Sequence, residues 1–187
     1  MQVYLIRHTT PAIEKGICYG QSDITVEESL FEEELKTIRS KIPAIFDHVY
    51  SSPLQRCIKL AEKLSASIQT DARLKEINFG DWELQKWDEI AKEPLNSWMN
   101  DYVSQTVPCG ENYNQLYERS AQFLDDLLKE EHTNIAIITH AGNIRSILSW
   151  VLDLPLKNTF RIALDYGTVV KLNLQQNKEM NQISLLF

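Results

Sequence analysis

At 187 residues, with 43% apolar and 24% charged side chains, the chain is long enough to bury a core without disulfide or metal staples. Six glycines and six prolines exclude collagen-like and low-complexity architectures. A formal charge of -7 argues against a general nucleic-acid binder, although a local anion pocket needs only a few cations.

The three cysteines, Cys18, Cys57 and Cys109, form no CxxC pair and fit a reducing, cytoplasmic setting. The opening MQVYLIRH meets Arg7 too early for a signal peptide, and no apolar run approaches the ~20 residues of a membrane helix. Neither a membrane nor a nucleic-acid partner is expected. Monomer and homodimer stay equally open.

In chain order, Val3-Tyr4-Leu5-Ile6 is an unbroken apolar run ending at Arg7-His8. Such short runs predict strands buried on both faces. A second strand is expected at residues 48–51. A helix follows, with Leu54, Ile58, Leu60, Ala61 and Leu64 on one face and Ser52-Pro53 as its cap and first turn. Residues 82–112 differ in texture: Trp82, Trp87, Trp98 and Tyr102 lie among polar residues ahead of Val107-Pro108-Cys109-Gly110. This stretch is expected to be a small helical cap inserted into a single domain spanning 1–187.

Leu116, Phe123, Leu124, Leu127 and Leu128 predict an amphipathic helix over about 113–131. The run Ile135-Ala136-Ile137-Ile138 predicts another buried strand, ending at Thr139-His140. Ile144, Ile147, Leu148 and Val151 predict a helix opening after Gly142. Residues 168–174 and 183–187 read as the last strands, the final one either an edge able to pair with a partner or buried against the sheet. Strands alternating with helices predict an α/β domain with a mainly parallel sheet. In such sheets ligands bind beyond the carboxyl ends of the strands.

Those ends carry Arg7-His8 and His140, while Arg56 falls in the first turn of the helix after Ser51-Ser52-Pro53. Guanidinium forks match phosphate oxygens bidentately. A neutral imidazole whose other nitrogen is held as a donor is a competent nucleophile, and a second histidine can donate to the phosphoryl group. The helix opening after Ala141-Gly142 adds a positive dipole end and free N–H groups. Metal-ligand spacings such as HxH or HxxxH do not occur; His48 and His132 read as a strand-start and a helix-end residue.

LIRHTTP resembles the LIRHGET signature of the histidine phosphatase (phosphoglycerate-mutase-like) superfamily. YSSPLQRC, LKEINFGDWE, PCGENYNQLYER and THAGNIR resemble its later elements in the right order, over positions 1 to about 145. The resemblance implies a three-layer α/β/α sandwich and a metal-free, cofactor-free, two-step mechanism. In it His8 is phosphorylated; Arg7, Arg56 and His140 grip the phosphoryl group; Glu76 protonates the leaving oxygen and then activates water. Glu83 is the rival carboxylate. The chain departs from the pattern at Thr9 and Thr10-Pro11, at Ala141, and at Glu14, where a frequent Asn would give way to a carboxylate near the phosphate.

Within the superfamily the chain resembles the α-ribazole phosphatases in size and in its Tyr19-Gly20-Gln21-Ser22-Asp23 segment. That implies α-ribazole 5′-phosphate as a small-molecule phosphate monoester substrate, hydrolysed in cobalamin nucleotide-loop assembly. Gln21, Trp82 and Ala141 are then candidate substrate contacts, and Trp87, Trp98 or Tyr102 could stack on its ring. The alternatives are a broad-specificity sugar-phosphate phosphatase, a phosphoglycerate mutase-type phosphotransferase, and a non-catalytic phosphate-binding protein. Only Lys86 and Lys92 are basic in the cap, which favours hydrolysis over transfer. Cys18 and Cys57 could lie near the pocket and make the protein sensitive to oxidation, although most unpaired cysteines are buried fillers.

Overall fold

The computed structural model describes residues 1–186; Phe187, with which the last strand was expected to end, lies outside them. Six strands, β1 (Gln2–Arg7), β2 (His48–Ser51), β3 (Gln69–Thr70), β4 (Asn134–Thr139), β5 (Val169–Asn173) and β6 (Gln182–Leu186), form one sheet in the order β3-β2-β4-β1-β5-β6. The pairings among β3, β2, β4 and β1 are parallel, and β5 runs antiparallel to both β1 and β6.

Successive side chains of a strand face opposite ways, so a continuous apolar run serves two cores. Val3 and Leu5, with Ile135 and Ile137, pack against α4 (Tyr113–Leu127) and α5 (Ala141–Leu152). Tyr4 and Ile6, with Ala136 and Ile138, pack against α1 (Glu28–Arg39) and α2 (Gln55–Leu64). The result is the expected α/β/α sandwich.

Three details differ from the sequence reading. Helix α1 was not foreseen; it buries only Phe31, Leu35 and Ile38 within a stretch dominated by glutamates. Helix α2 starts at Gln55, because Leu54 is extended (ψ 137°) and Ser52 lies outside the helix. The segment 82–112 holds a single α-helix, α3 (Lys92–Asn100), amid turns.

Register then aligns the strand ends. Arg7 lies opposite Thr139 and Ser51 opposite Ile138, so His8, His140 and Ser52 leave the sheet side by side.

Candidate active site

The strand ends open into a cavity of about 200 Å³ whose floor includes Arg7, His8, Arg56, Glu76, Ala141 and Gly142. His8 is buried, and its Nδ1 lies 2.7 Å from the Thr9 carbonyl. A carbonyl only accepts, so Nδ1 carries the proton and Nε2 keeps its lone pair. Arg56 Nε donates to that Nε2 at 3.3 Å. Burial first, then the charges of Arg56 and Arg7, hold the His8 pKa well below 6.5. His8 is therefore neutral at pH 7, the state a nucleophile requires.

His140 lies beside it, ring centroids 5.0 Å apart, and shares a 2.8 Å hydrogen bond between Nε2 and Ser52 Oγ. Burial and the Arg56 charge push its pKa down as well. Both buried imidazoles make stability pH-dependent. Below pH 6.5 the unfolded chain binds protons that the folded chain refuses, so stability falls as pH falls through 6.5 toward the lowered folded values. Urea unfolding is expected to lose stability between pH 7 and 5.5, on the order of 1 kcal/mol for each site. A profile flat across that window would show that neither imidazole is held neutral.

Arg56 is fully buried and fixed by carbonyls, Nη2 donating to Gly20 O at 2.6 Å and Nη1 to Ser22 O at 2.9 Å. The loop offering those carbonyls is held by Glu83, whose carboxylate accepts from the backbone N–H groups of Gly20, Gln21, Ser22 and Phe79 and from the Ser22 hydroxyl. Burial opposes ionisation of Glu83, but these hydrogen bonds prevail and lower its pKa. Glu83 thus anchors the arginine's loop and does not line the cavity. Arg7 Nη1 donates to Leu164 O, while its buried Nε finds no acceptor among the described residues. A buried donor left unmatched in a cavity suits an incoming anion.

Glu76 lines the cavity. Its Oε1 accepts from Ile77 N at 2.9 Å and its Oε2 from Gly142 N at 3.0 Å, at the N-terminus of α5. Gly142 is needed there, since a Cβ would stand 2.2 Å from Glu76 Oε1. Arg119, paired with Glu111 at 2.6 Å, donates to the carbonyls of Arg73, Lys75 and Glu76. The PCGENYNQLYER element therefore caps α4, through the Asn112–Gln115 capping box, and holds the backbone that presents Glu76.

Of the other candidates, Ala141 lines the cavity. Gln21 braces the Glu76 carbonyl at 3.1 Å and does not line it. Trp82 is buried with Cys18, Ile90 and Val107 inside the segment's own small core; Trp87, Trp98 and Tyr102 reach the cavity instead. Glu14 is exposed and outside the cavity wall, because the chain turns away at Pro11 to pair with Val26. Thr9 is buried and supplies the carbonyl that orients His8. Cys57 and Cys18 are buried, with thiols pushed up to about 12 chiefly by burial, and neither lines the cavity. The exposed cysteine is Cys109.

Sequence reasoning missed Arg145, Tyr19 and Phe160, which also line the cavity. Arg145 was legible in principle: it lies four residues after Ala141, on the same face of α5. Among the described residues, no group of three or more His, Cys, Asp and Glu side chains could hold a metal ion, and no helix is long and apolar enough to cross a membrane.

Residues 3–184 match the family model of the histidine phosphatase superfamily (branch 1), and the chain belongs to that family. A Hydrogenobacter thermophilus protein named "Putative phosphoserine phosphatase 2" is 26% identical, over 95% of this chain and 91% of its own. An Erwinia tasmaniensis protein named "Probable phosphoglycerate mutase" is 29% identical over 95% and 86%. The adenosylcobalamin/alpha-ribazole phosphatase of Escherichia coli is 24% identical over 94% and 91%. Among solved structures, the alpha-ribazole phosphatase of Shigella flexneri superposes with TM-score 0.87 at 22% identity, covering 100% of this chain and 96% of its own.

Proposed function

We propose that this chain is a metal-independent phosphomonoesterase acting through a phosphohistidine on His8, with α-ribazole 5′-phosphate as its substrate. The observation that carries the chemistry is His8 itself: a neutral imidazole, proton fixed on Nδ1 by Thr9 O, lone pair on the Nε2 that faces Arg56. Arg7, Arg56 and His140 hold the phosphoryl oxygens. His8 Nε2 attacks phosphorus as the ester P–O bond breaks, and Glu76 gives the leaving oxygen its proton. Glu76 then takes a proton from water, which attacks phosphorus and frees His8.

The substrate assignment draws on the α-ribazole phosphatases among the similar proteins and on the cavity wall. Phe79, Trp87, Trp98, Tyr102, Tyr113 and Phe160 surround the space where a leaving group lies, and such faces suit a benzimidazole ring. Hydrolysis is favoured over transfer because Lys86 and Lys92 are both exposed and absent from the cavity. One observation favours a second reading. Arg145 lines the cavity half-buried, its Nε and Nη2 both spent on Ile162 O, with no carboxylate partner among the ion pairs of the described residues. A free guanidinium edge there would suit a substrate carrying a second anionic group, such as phosphoserine or 3-phosphoglycerate.

The test is turnover by the wild-type protein in excess EDTA on α-ribazole 5′-phosphate, phosphoserine, 3-phosphoglycerate, sugar phosphates and an aryl phosphate. A strong kcat/KM preference for the first is expected. Preference for the carboxylate-bearing esters would replace the substrate, and metal-dependent turnover would overturn the phosphohistidine mechanism.

A further inference from the structure

Two tyrosines outside the matched motifs' functional positions meet above the arginines. Tyr19 and Tyr166 are 147 residues apart in sequence, and their hydroxyl oxygens lie 2.7 Å from each other. Each ring carries one of the phosphate-pocket guanidinium groups: Arg7 Cζ lies 4.0 Å from the Tyr166 centroid, and Arg56 Cζ 5.4 Å from that of Tyr19. The Tyr166 ring also packs on His8, centroids 5.6 Å apart.

The backbone around Tyr166 is built to present it. Thr168 N donates to Asp165 O at 3.1 Å, closing a turn whose third residue, Gly167, has φ +70°, a conformation that favours glycine. Gly167 N donates in turn to His8 O at 3.2 Å, and Arg7 reaches Leu164 O, so the turn is fastened to the end of β1. Tyr166 also lines a second cavity, between α1 and the 163–169 segment. On the opposite side, the loop bearing Tyr19 continues into Gly20 and Ser22, whose carbonyls hold Arg56. Burial and the Tyr166 hydroxyl push the Tyr19 pKa far above its ordinary value, so the phenol keeps its proton and the bond persists at neutral pH.

We propose that Tyr19 and Tyr166 form a latch across the phosphate pocket, one hydroxyl pair tying together the two loops that hold the guanidinium groups of Arg7 and Arg56 in register for a phosphoryl group. The inference rests on the proposed phosphate-binding role of those arginines. Both tyrosines are positioning residues: they act through the arginines, and their loss shows in affinity for the phosphoryl group more than in the chemical step.

The test is a double-mutant cycle read by orthovanadate binding to metal-stripped protein in chelator-free buffer, alongside turnover of an aryl phosphate and thermal stability. Tyr19→Phe and Tyr166→Phe each keep the ring and lose the hydroxyl bond. Each is expected to weaken vanadate binding and raise KM about five-fold, with kcat within two-fold or so, as one net hydrogen bond predicts. The double variant is expected to bind vanadate no more weakly than the worse single, because both changes break the same bond. Tyr166→Leu, which also removes the ring stacked on Arg7, is expected to weaken binding by roughly a further five-fold. Unchanged vanadate affinity in the Phe variants, or penalties that multiply in the double, would overturn the latch, as would a loss confined to thermal stability. A wild-type protein that neither binds vanadate nor turns over the aryl phosphate would instead overturn the proposed function, a distinguishable failure.

Discussion

His8→Ala is expected to remove turnover of every phosphate ester by on the order of 10⁴- to 10⁶-fold, the range seen when a nucleophile that acts in concert with its neighbours is deleted. The expectation follows from how completely the surroundings commit this imidazole to one task. Its Nδ1 proton is held by Thr9 O, its pKa is depressed by burial and two arginines, and its unprotonated Nε2 accepts from Arg56 at the anion pocket. The two nearest candidates to replace it both lie behind the cavity wall: His140 Nε2 is engaged by Ser52, and Cys57, 3.5 Å from that nitrogen, is a buried thiol pushed up to about 12. Rapid quenching of the wild type with labelled substrate is expected to trap an acid-labile, alkali-stable phosphoryl group, and the variant to trap none. The variant should still bind vanadate, since Arg7, Arg56 and His140 remain. Residual turnover above about 1% of wild type would assign the nucleophile elsewhere.

Much of this site was legible because strands buried on both faces announce themselves as short apolar runs, and their ends announce the site. Val3-Tyr4-Leu5-Ile6 and Ile135-Ala136-Ile137-Ile138 each deliver a histidine, and the parallel register places those histidines side by side. What escaped the sequence was everything settled by contacts between distant loops. Helix α1 hid because its three buried residues are spaced among exposed glutamates, leaving a narrow apolar stripe. Glu83 looked like a rival acid because its donors belong to residues 20–22, about sixty positions earlier in the chain. Trp82 could not be separated from Trp87 and Trp98 by composition, since the packing of the segment's own core decides which ring reaches the cavity. Glu14 was misplaced by counting from His8, a count that ignores the turn at Pro11.

Glu76→Gln is expected to separate the two chemical steps. An alkoxide leaves poorly without a proton, whereas an activated aryl oxide leaves without help. On an alkyl ester such as α-ribazole 5′-phosphate, the first step is then expected to slow by about 10²- to 10⁴-fold, with no burst of released alcohol. On an aryl phosphate the first step survives, but water lacks its base in the second, so a burst of one equivalent of phenol is expected, followed by slow turnover and accumulation of phosphoryl-His8. Geometry supplies the control. Both Glu76 oxygens accept backbone N–H bonds, from Ile77 and from Gly142, whereas an amide turns an NH₂ toward one of those donors. That mismatch costs on the order of 1–3 kcal/mol of stability and must be measured beside the kinetics. If it were the whole effect, alkyl and aryl esters would slow equally and no burst would appear. A burst restricted to good leaving groups, with vanadate binding intact, would identify Glu76 as the proton donor of the first step and the base of the second.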